Sequence, residues 1–230
     1  MKNIINTPLF GIIISILAYD IGLFIYKKTN ISFFNPIVTA AGIIISIILL
    51  TDVNFEHYDY GGKYISFFLG PATVVLAIPL YRQIKILKTF ALPIIAGIIT
   101  ASITAVTSVY LLCKLFGIPK DIMLSLLPKS VTTPIGIELS LQINAIPAIT
   151  IISIVITGIS GAVMAPYICY IFNIKDSVAK GIAIGCASHA VGTSKAVEMG
   201  DIEGAMSGLS IGLMGITTVI IVPIFIKYFT

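Results

Sequence analysis

The stretch LLPKSVTTPIGIELS, residues 126–140, decides the fold because it interrupts a very apolar chain with a segment that cannot form an ordinary membrane helix. Pro128 and Pro134 each lack an amide hydrogen and clash with a carbonyl one turn earlier. Lys129 is costly at membrane depth, by about 2.5–3.5 kcal/mol on insertion scales, so such a lysine usually faces water or a partner. The segment 121–143 therefore either crosses the membrane as a broken helix or enters it and returns on the same side.

The chain around this stretch has the composition of an integral membrane protein. Of its 230 residues, 57% are hydrophobic and only 10% are charged, whereas soluble domains carry charge on about a quarter of their residues. The apolar runs are continuous rather than alternating, which excludes barrel strands, and several could cross about 30 Å of hydrocarbon as helices. The clearest are 8–26, 31–50, 64–81, 89–113, 146–172 and 204–226, with a less apolar run at 179–198. We therefore predict an all-α polytopic membrane protein with about 7 transmembrane helices and one re-entrant or broken segment.

The chain also has a weak internal symmetry. A shift by half the chain length aligns 33–50 with 148–165, 64–82 with 179–197 and 88–113 with 203–228, in hydropathy and in the positions of helix breakers. We predict a single integral membrane domain, 1–230, with a first repeat at about 31–113 and a second at about 146–229, linked by 121–143. Interrupted helices in such halves are typical of secondary transporters, which bind substrate near the midplane between the repeats.

The distribution of charge favours inverted repeats. Basic residues flank loops on one side, which the positive-inside rule assigns to the cytoplasm. The acidic loop TDVNFEHYDYGGK, residues 51–63, would then lie outside. If 121–143 re-enters, Lys175 and Lys180 fall inside and Glu203 falls outside, and the repeats are inverted. If it crosses, the second half is reversed and the charge bias becomes worse.

The first candidate site is the broken segment itself. After Pro134, the run IGIELSLQI restarts a helix, and the N–H groups and hydroxyls at its start favour an anion. A carboxylate cradle is predicted from Lys129, Ser130, Thr132 and Thr133. The alternative is that Lys129 lies at the membrane interface and binds nothing. Glu138 is either a proton-coupling group or a buried partner for Lys129 or Lys195.

The second candidate is ASHAVGTSKAVEMG, residues 187–200, a polar run between apolar ones. On a continuous helix, spacings of three and four produce one small, polar stripe, formed by Gly185, Ser188, Gly192 and Lys195. This stripe is either a tight seam between helices or the polar wall of a cavity, with Ser188 and the neighbouring Thr193 as neutral donors. His189 could carry a proton, given its ordinary pKa near 6.5, or be purely structural.

The third candidate is GPATVVLAIPLYRQ, residues 70–83. Its two prolines free backbone carbonyls, which a membrane helix tolerates where they face protein, water or a solute. Pro71 and Thr73 are therefore candidates to line a pathway. The alternative is a kinked helix whose Arg82 extends to the cytoplasmic interface.

Enzymatic chemistry is not indicated. The sequence contains no G-x-S-x-G, H-E-x-x-H or phosphate-binding loop, and no paired acids at a metal spacing. Ser188 and His189 are adjacent, so on a helix they point about 100° apart and cannot act as a nucleophile and its base. We expect no catalytic residue, no cofactor and no metal. The net charge of +4 is explained by cytoplasmic loops rather than by binding to nucleic acid.

Three stretches together resemble the LrgB/CidB family of bacterial inner-membrane proteins: GPATVVLAIPLYRQ, LLPKSVTTPIGIE and GIAIGCASHAVGTSKAVEMGDIEGAMSGLSIGLMGI. The resemblance covers the chain from about residue 8. It implies a multi-pass protein of the bacterial inner membrane with a small LrgA- or CidA-like partner. The family is described as antiholin-like or holin-like modulators of murein hydrolase activity and cell lysis. Members are linked to uptake or export of pyruvate, and a plastid relative carries glycolate and glycerate.

Residues and resemblance together predict a transporter or facilitator for a small monocarboxylate that works by alternating access. The substrate would lie between Lys129 with its neighbouring hydroxyls and a second wall of Ser188, His189, Gly192 and Thr193. A homo-oligomer in the lipid bilayer is expected. The alternatives are an antiholin-like regulator of murein hydrolase export without its own solute site, and a passive channel.

Overall fold

A computed structural model of the chain describes residues 7–29, 34, 36–51, 53–68, 71, 74, 81, 84–89 and 91–229. The regular secondary structure in this part of the chain is helical. Its ten helices are α1 (Pro8–Thr29), α2 (Pro36–Thr51), α3 (Phe55–Phe67), α4 (Ile84–Thr89), α5 (Ala91–Leu115), α6 (Lys120–Leu126), α7 (Thr133–Gln142), α8 (Pro147–Ile171), α9 (Ser177–Met199) and α10 (Asp201–Phe229). The protein is an all-α, polytopic membrane protein.

Four of these helices are long and apolar enough to cross a membrane, namely α1, α5, α8 and α10, and α2 is a shorter apolar helix. They coincide within a few residues with predicted runs. The run 64–81 lies mostly outside the described residues. The prediction that 51–63 is a loop is wrong, because most of it belongs to α3; its location outside the membrane stays a prediction. Asn54 caps that helix by accepting a hydrogen bond from Glu56 N at 3.1 Å, and Lys63 pairs with Asp59 one turn away at 3.2 Å.

The chain divides into two compact units, Met1–Ala72 and Thr73–Thr230. In the first unit, α3 packs closely on α1 where two glycines meet. A Cβ placed on Gly61 would lie 2.7 Å from the Cα of Gly11, so neither position has room for a side chain. Beside this contact, the Ser15 hydroxyl lies 3.0 Å from that of Tyr58. The second unit contains α4 to α10 and the candidate site.

In the second unit, residues 120–142 form a hairpin that returns to the side from which it starts. Ser125, at the end of α6, accepts a hydrogen bond from Ile146 N at 2.9 Å, just before α8. Thr150 of α8 donates to Ser125 O at 2.8 Å and lies 3.1 Å from the Ser140 hydroxyl near the end of α7. Both arms are thus fixed to the beginning of α8. We call 120–142 the first re-entrant hairpin; its tip is 127–132.

Helix α9 is a second re-entrant hairpin, because it reverses at His189, whose φ of 42° and ψ of −137° are not helical. Its contacts with α10 are mirrored about this residue. Gly181 on the first arm and Val197 on the second both contact α10 near Glu203 and Gly204.

One turn further along α10, the same mirrored pattern recurs at a single residue. Gly185 of the first arm packs on the Ser207 backbone, and Thr193 of the second arm lies 2.7 Å from the Ser207 hydroxyl. The first arm is 177–188 and the second is 190–199.

Both ends of α9 consequently lie on one side of the protein. Lys180 near its start is 4.0 Å from Glu203 at the start of α10. The prediction that Lys180 and Glu203 lie on opposite sides is therefore wrong, because α9 does not cross. A hydropathy profile treats any run of this length as a crossing and cannot detect the single residue at which the chain turns back.

The long helices α5 and α10, which the half-length shift aligns, run parallel. Ser102 of α5 lies 3.2 Å from Thr218 of α10, and further along, Tyr110 stacks edge-on against Phe225. An inverted relation would make this pair antiparallel, so the predicted alignment of inverted repeats is wrong for it. The inverted relation instead holds between α5 followed by the first hairpin and α8 followed by the second hairpin. The reason is that α5 ends, and α8 begins, at the base of the first hairpin.

Candidate functional site

An open cavity of about 1010 Å³ lies along the first arm of α9 in the second unit. Helices α5 and α8 and the tip of the first hairpin complete its wall. The polar lining residues are Thr100, Thr104, Lys129, Ser130, Thr157, Ser160, Asp176 and Ser188. Most of them lie towards the end where the two hairpin tips approach each other. The cavity therefore has a polar inner end near the middle of the long helices.

Prolines and short turns place Lys129 at this inner end. Pro128 lies two residues after the end of α6, and backbone bonds from Lys129 N to Leu126 O and from Val131 N to Pro128 O turn the chain. Helix α7 then begins with Pro134 in its first turn, where a missing N–H costs nothing. The sequence thus builds a tight tip that projects Lys129 into the protein.

Lys129 is a half-buried cation. Its Nζ donates a 3.3 Å hydrogen bond to Ser130 Oγ. Among the described residues no ion pair involves Lys129. His189 of the second hairpin lies close enough to interact electrostatically with it. A desolvated ammonium group with only neutral neighbours is an attractive site for an anion.

The second hairpin contributes Ser188 from the last turn of its first arm. Ser188 is 1% exposed and packs on Gly161 of α8, where a Cβ would overlap its hydroxyl oxygen. Gly161 therefore brings α8 close enough for Ser188 to reach the same cavity as Lys129 and Ser130. The structure brings these three predicted residues together.

Known proteins resemble the chain over almost its entire length. The model of the LrgB-like family matches residues 15–228. The chain belongs to the LrgB-like family. It is 37% identical over 223 residues to the antiholin-like protein LrgB of Bacillus mycoides (strain KBAB4), covering 96% of this chain and 97% of that protein.

The antiholin-like proteins LrgB of Bacillus cereus (strain B4264) and Bacillus anthracis (strain CDC 684 / NRRL 3495) match with the same identity and coverage. No solved structure matches the chain. The resemblance inferred from the three sequence stretches is confirmed, and the protein is a membrane protein of a family that is not an enzyme family.

In this LrgB-like chain, His189 holds the second hairpin in place and does not line the cavity. Its Nε2 lies 3.0 Å from Ile154 O of α8, and the residue is only 4% exposed. Gly158 makes room for it, since a Cβ there would lie 2.6 Å from the ring Cε1. Positive-φ backbone in a residue other than glycine costs of the order of 1–3 kcal/mol. The bond to Ile154 helps to offset that cost.

The predicted stripe on α9 is divided by the reversal at His189. Gly192 packs against Ser188 and Ile184. Thr193 bonds to His189 O at 2.9 Å in addition to Ser207, which holds the second arm on α10. Lys195 pairs with Glu198 at 2.8 Å. The prediction of one continuous polar face is wrong: Ser188 lines the cavity, Gly192 and Thr193 pack the second arm on the first arm and on α10, and Lys195 pairs within the second arm.

The remaining predicted site residues that the structure describes do not line the cavity. Thr132 is the N-cap residue of α7, but its side chain makes no capping hydrogen bond. Its buried Oγ1 has no hydrogen-bond partner among the described residues. Thr133, the first residue of α7, is half-buried outside the cavity lining. Glu138 is exposed, so a buried pair with Lys129 or Lys195 is not formed. Pro71 is exposed in the first unit, and Thr73 lies outside the described residues.

The sequence interpretation missed hydroxyls contributed by the long helices. Thr100 and Thr104 lie one turn apart on α5, and Thr157 and Ser160 lie one turn apart on α8. Their spacings of four and three residues are those of a shared helix face. That signal was present in two otherwise apolar helices. It does not by itself separate a cavity wall from hydroxyls bonded to their own helix, as Thr100 is to Ala96 O.

Proposed function

We propose that the protein is a transporter or facilitator for a small monocarboxylate, such as pyruvate or glycolate, in the bacterial inner membrane. It would act with a small LrgA- or CidA-like membrane partner. The observation that carries the proposal is Lys129, which forms no ion pair with any described residue, at the inner end of a cavity whose other polar lining groups are neutral hydroxyls, apart from Asp176. One cation and several hydroxyls would bind one carboxylate and a neighbouring oxygen of the substrate.

The two hairpins support alternating access. Each brings helix ends to the middle of the second unit, as discontinuous helices do in secondary transporters. The first is fixed to α8 by the buried hydroxyls of Ser125, Ser140 and Thr150. The second rests on α8 and α10 largely through glycines, which permit close contact with few side-chain locks. We propose that the substrate binds between the tips and is released by movement of one hairpin relative to the other.

The test is uptake of labelled pyruvate by proteoliposomes that contain purified protein. We expect Lys129→Ala to reduce uptake about ten- to a hundredfold, because a hydrogen bond to a charged group is worth about 1.5–3 kcal/mol. Lys175→Ala is the matched control, since Lys175 is exposed and outside the cavity lining. Thermal unfolding confirms that both variants fold. Undiminished uptake by folded Lys129→Ala would reject the site.

A second candidate function follows from the relatives, whose names describe them as antiholin-like. In that function the protein regulates murein hydrolase export and cell lysis without a solute site of its own. Uptake is therefore measured with and without the small partner. No saturable uptake in either case, together with altered lysis in cells, would favour this function, and flux that does not saturate would indicate a passive channel.

A further inference from the structure

The cavity changes in chemical character along its length. Its inner end carries Lys129, Ser130 and Ser188, whereas the half nearer the start of α9 is lined mainly by apolar groups. Those groups are Ile94, Gly97, Val178 and Ile182. Gly97 of α5 faces Ile182 of α9 across this outer half. A polar inner end and a mainly apolar outer half, with the Asp176 carboxylate at the start of α9, are thus separated along one cavity.

The geometry points to a substrate that carries an aliphatic chain of several carbons on its single carboxylate. The carboxylate would bind at Lys129, and the chain would lie in the outer half along Val178 and Ile182. This inference rests on the proposed function and narrows its substrate class. The volume of about 1010 Å³ lies at the upper end of the range for drug-sized ligands, about 300–1,000 Å³, and is far more than a three-carbon acid occupies.

Hydrophobic burial would make this site selective for the length of the aliphatic chain, which a purely polar site is not. Each methylene removed from water is worth a factor of about four in an equilibrium constant. Affinity should therefore rise with chain length until the outer half is filled. A dicarboxylate of the same length gains nothing, because its second charge would lie against apolar side chains and within range of the carboxylate of Asp176.

Gly97 is the position that sets the width of the outer half. A Cβ added there would make ordinary van der Waals contact with Ile182 Cγ2, at 3.9 Å, so α5 and α9 are already in contact at this point. In Gly97→Leu the longer side chain would take up room in the outer half beside Ile182. Ala96→Leu is the matched control, because Ala96 is exposed on the same helix and does not line the cavity.

The experiment measures binding to the purified full-length chain by the shift in thermal unfolding with acetate, butyrate and hexanoate. We expect the apparent dissociation constant to fall about fourfold per methylene in the wild type and in Ala96→Leu. In Gly97→Leu that gain should be lost, while the constant for acetate stays within about twofold. Hexanol, which lacks the carboxylate, should produce no saturable shift.

Two results would overturn the inference: dissociation constants that do not fall with chain length, or Gly97→Leu behaving like Ala96→Leu. The result of the pyruvate uptake assay is independent of the result of this binding experiment. Uptake of pyruvate with no gain from chain length rejects the aliphatic substrate and leaves the transport proposal intact. Chain-length-dependent binding without any flux rejects transport and leaves the ligand class standing.

Discussion

At the scale of the residue, glycines position the second hairpin. A Cβ on Gly185 would lie 2.9 Å from the Cα of Ser207 on α10, closer than real Cβ atoms come. Gly158 and Gly161 likewise leave space on α8 for the His189 ring and the Ser188 side chain. Small residues that admit a neighbouring backbone are the usual means of packing helices in membranes. Ser188 reaches the cavity because these positions carry no side chain.

We expect Gly185→Ala to destabilise the protein by about 1–3 kcal/mol, because the added methyl group meets backbone that cannot move aside. Gly97→Ala is the control within the same unit, since its Cβ would make only ordinary contact. Thermal unfolding of the purified variants measures both. Equal stability of the two variants would contradict the close approach of α9 and α10.

The identity of single site residues was partly predictable. Lys129 and Ser130 follow from the cost of a lysine and hydroxyls between two prolines in an apolar chain, and both line the cavity. Thr193 and Lys195 have the same polar character in the sequence, yet they bond within the protein. Side-chain chemistry identifies groups that need a partner. It does not state whether that partner is a ligand or another residue.

At the scale of the element, the second unit contains two hairpins that approach each other from opposite sides. The first comes from the end of α5 and the second from the end of α8. Their tips differ in construction: the first is an irregular turn bounded by prolines, and the second is one residue with positive φ. Prolines are visible in a sequence as helix breakers. A histidine is not, and so the reversal within α9 was not predicted.

Accessibility of introduced cysteines tests this topology. The native Cys113, Cys169 and Cys186 are first replaced by alanine. Lys175→Cys and Asp201→Cys flank the second hairpin at exposed positions. We expect an impermeant maleimide to label both from the same side of sealed vesicles, because α9 returns to its starting side. Labelling from opposite sides would mean that α9 crosses.

The first hairpin is tested in the same vesicles with Lys120→Cys and Asn144→Cys, which flank it at exposed positions. Both should be labelled from one side, and that side should be the opposite of the one that labels Lys175→Cys and Asp201→Cys. The reason is that α8 crosses once between the two hairpins. If all four positions were labelled from a single side, α8 would not be a transmembrane helix.

At the scale of the whole chain, α5 and α10 run parallel within Thr73–Thr230. The contacts progress in register from Ser102 with Thr218 to Tyr110 with Phe225. A hydropathy alignment shifted by half the chain length matches these two helices because both are long and apolar. The alignment carries no information on the direction of the helices, since an apolar run has a similar hydropathy profile in either orientation.

A pair of introduced cysteines tests this packing. In the cysteine-free background, Ser102→Cys with Thr218→Cys should form a disulfide under a lipid-soluble oxidant, because the native hydroxyl oxygens are 3.2 Å apart. Ile94→Cys with Thr218→Cys is the control. Ile94 lies two turns earlier on α5, about 12 Å away along the helix axis, so that pair should stay reduced. A disulfide in the control pair alone would contradict this register of α5 against α10.

The sequence by itself determined the membrane class, most of the long helices, the break around Pro128 and the family. Each rests on a local property: continuous apolarity over a helix length, a missing N–H, or a run of matching residues. Only the tertiary structure decided that α9 turns back, that α5 and α10 run parallel, and that Lys129, Ser130 and Ser188 share one cavity. Those outcomes depend on which surfaces pack together over long sequence separations, as Gly161 with Ser188 and Gly185 with Ser207 do. A hydropathy profile does not detect such contacts, because it gives the same value to a glycine that contacts a neighbouring helix and to a glycine that faces open space.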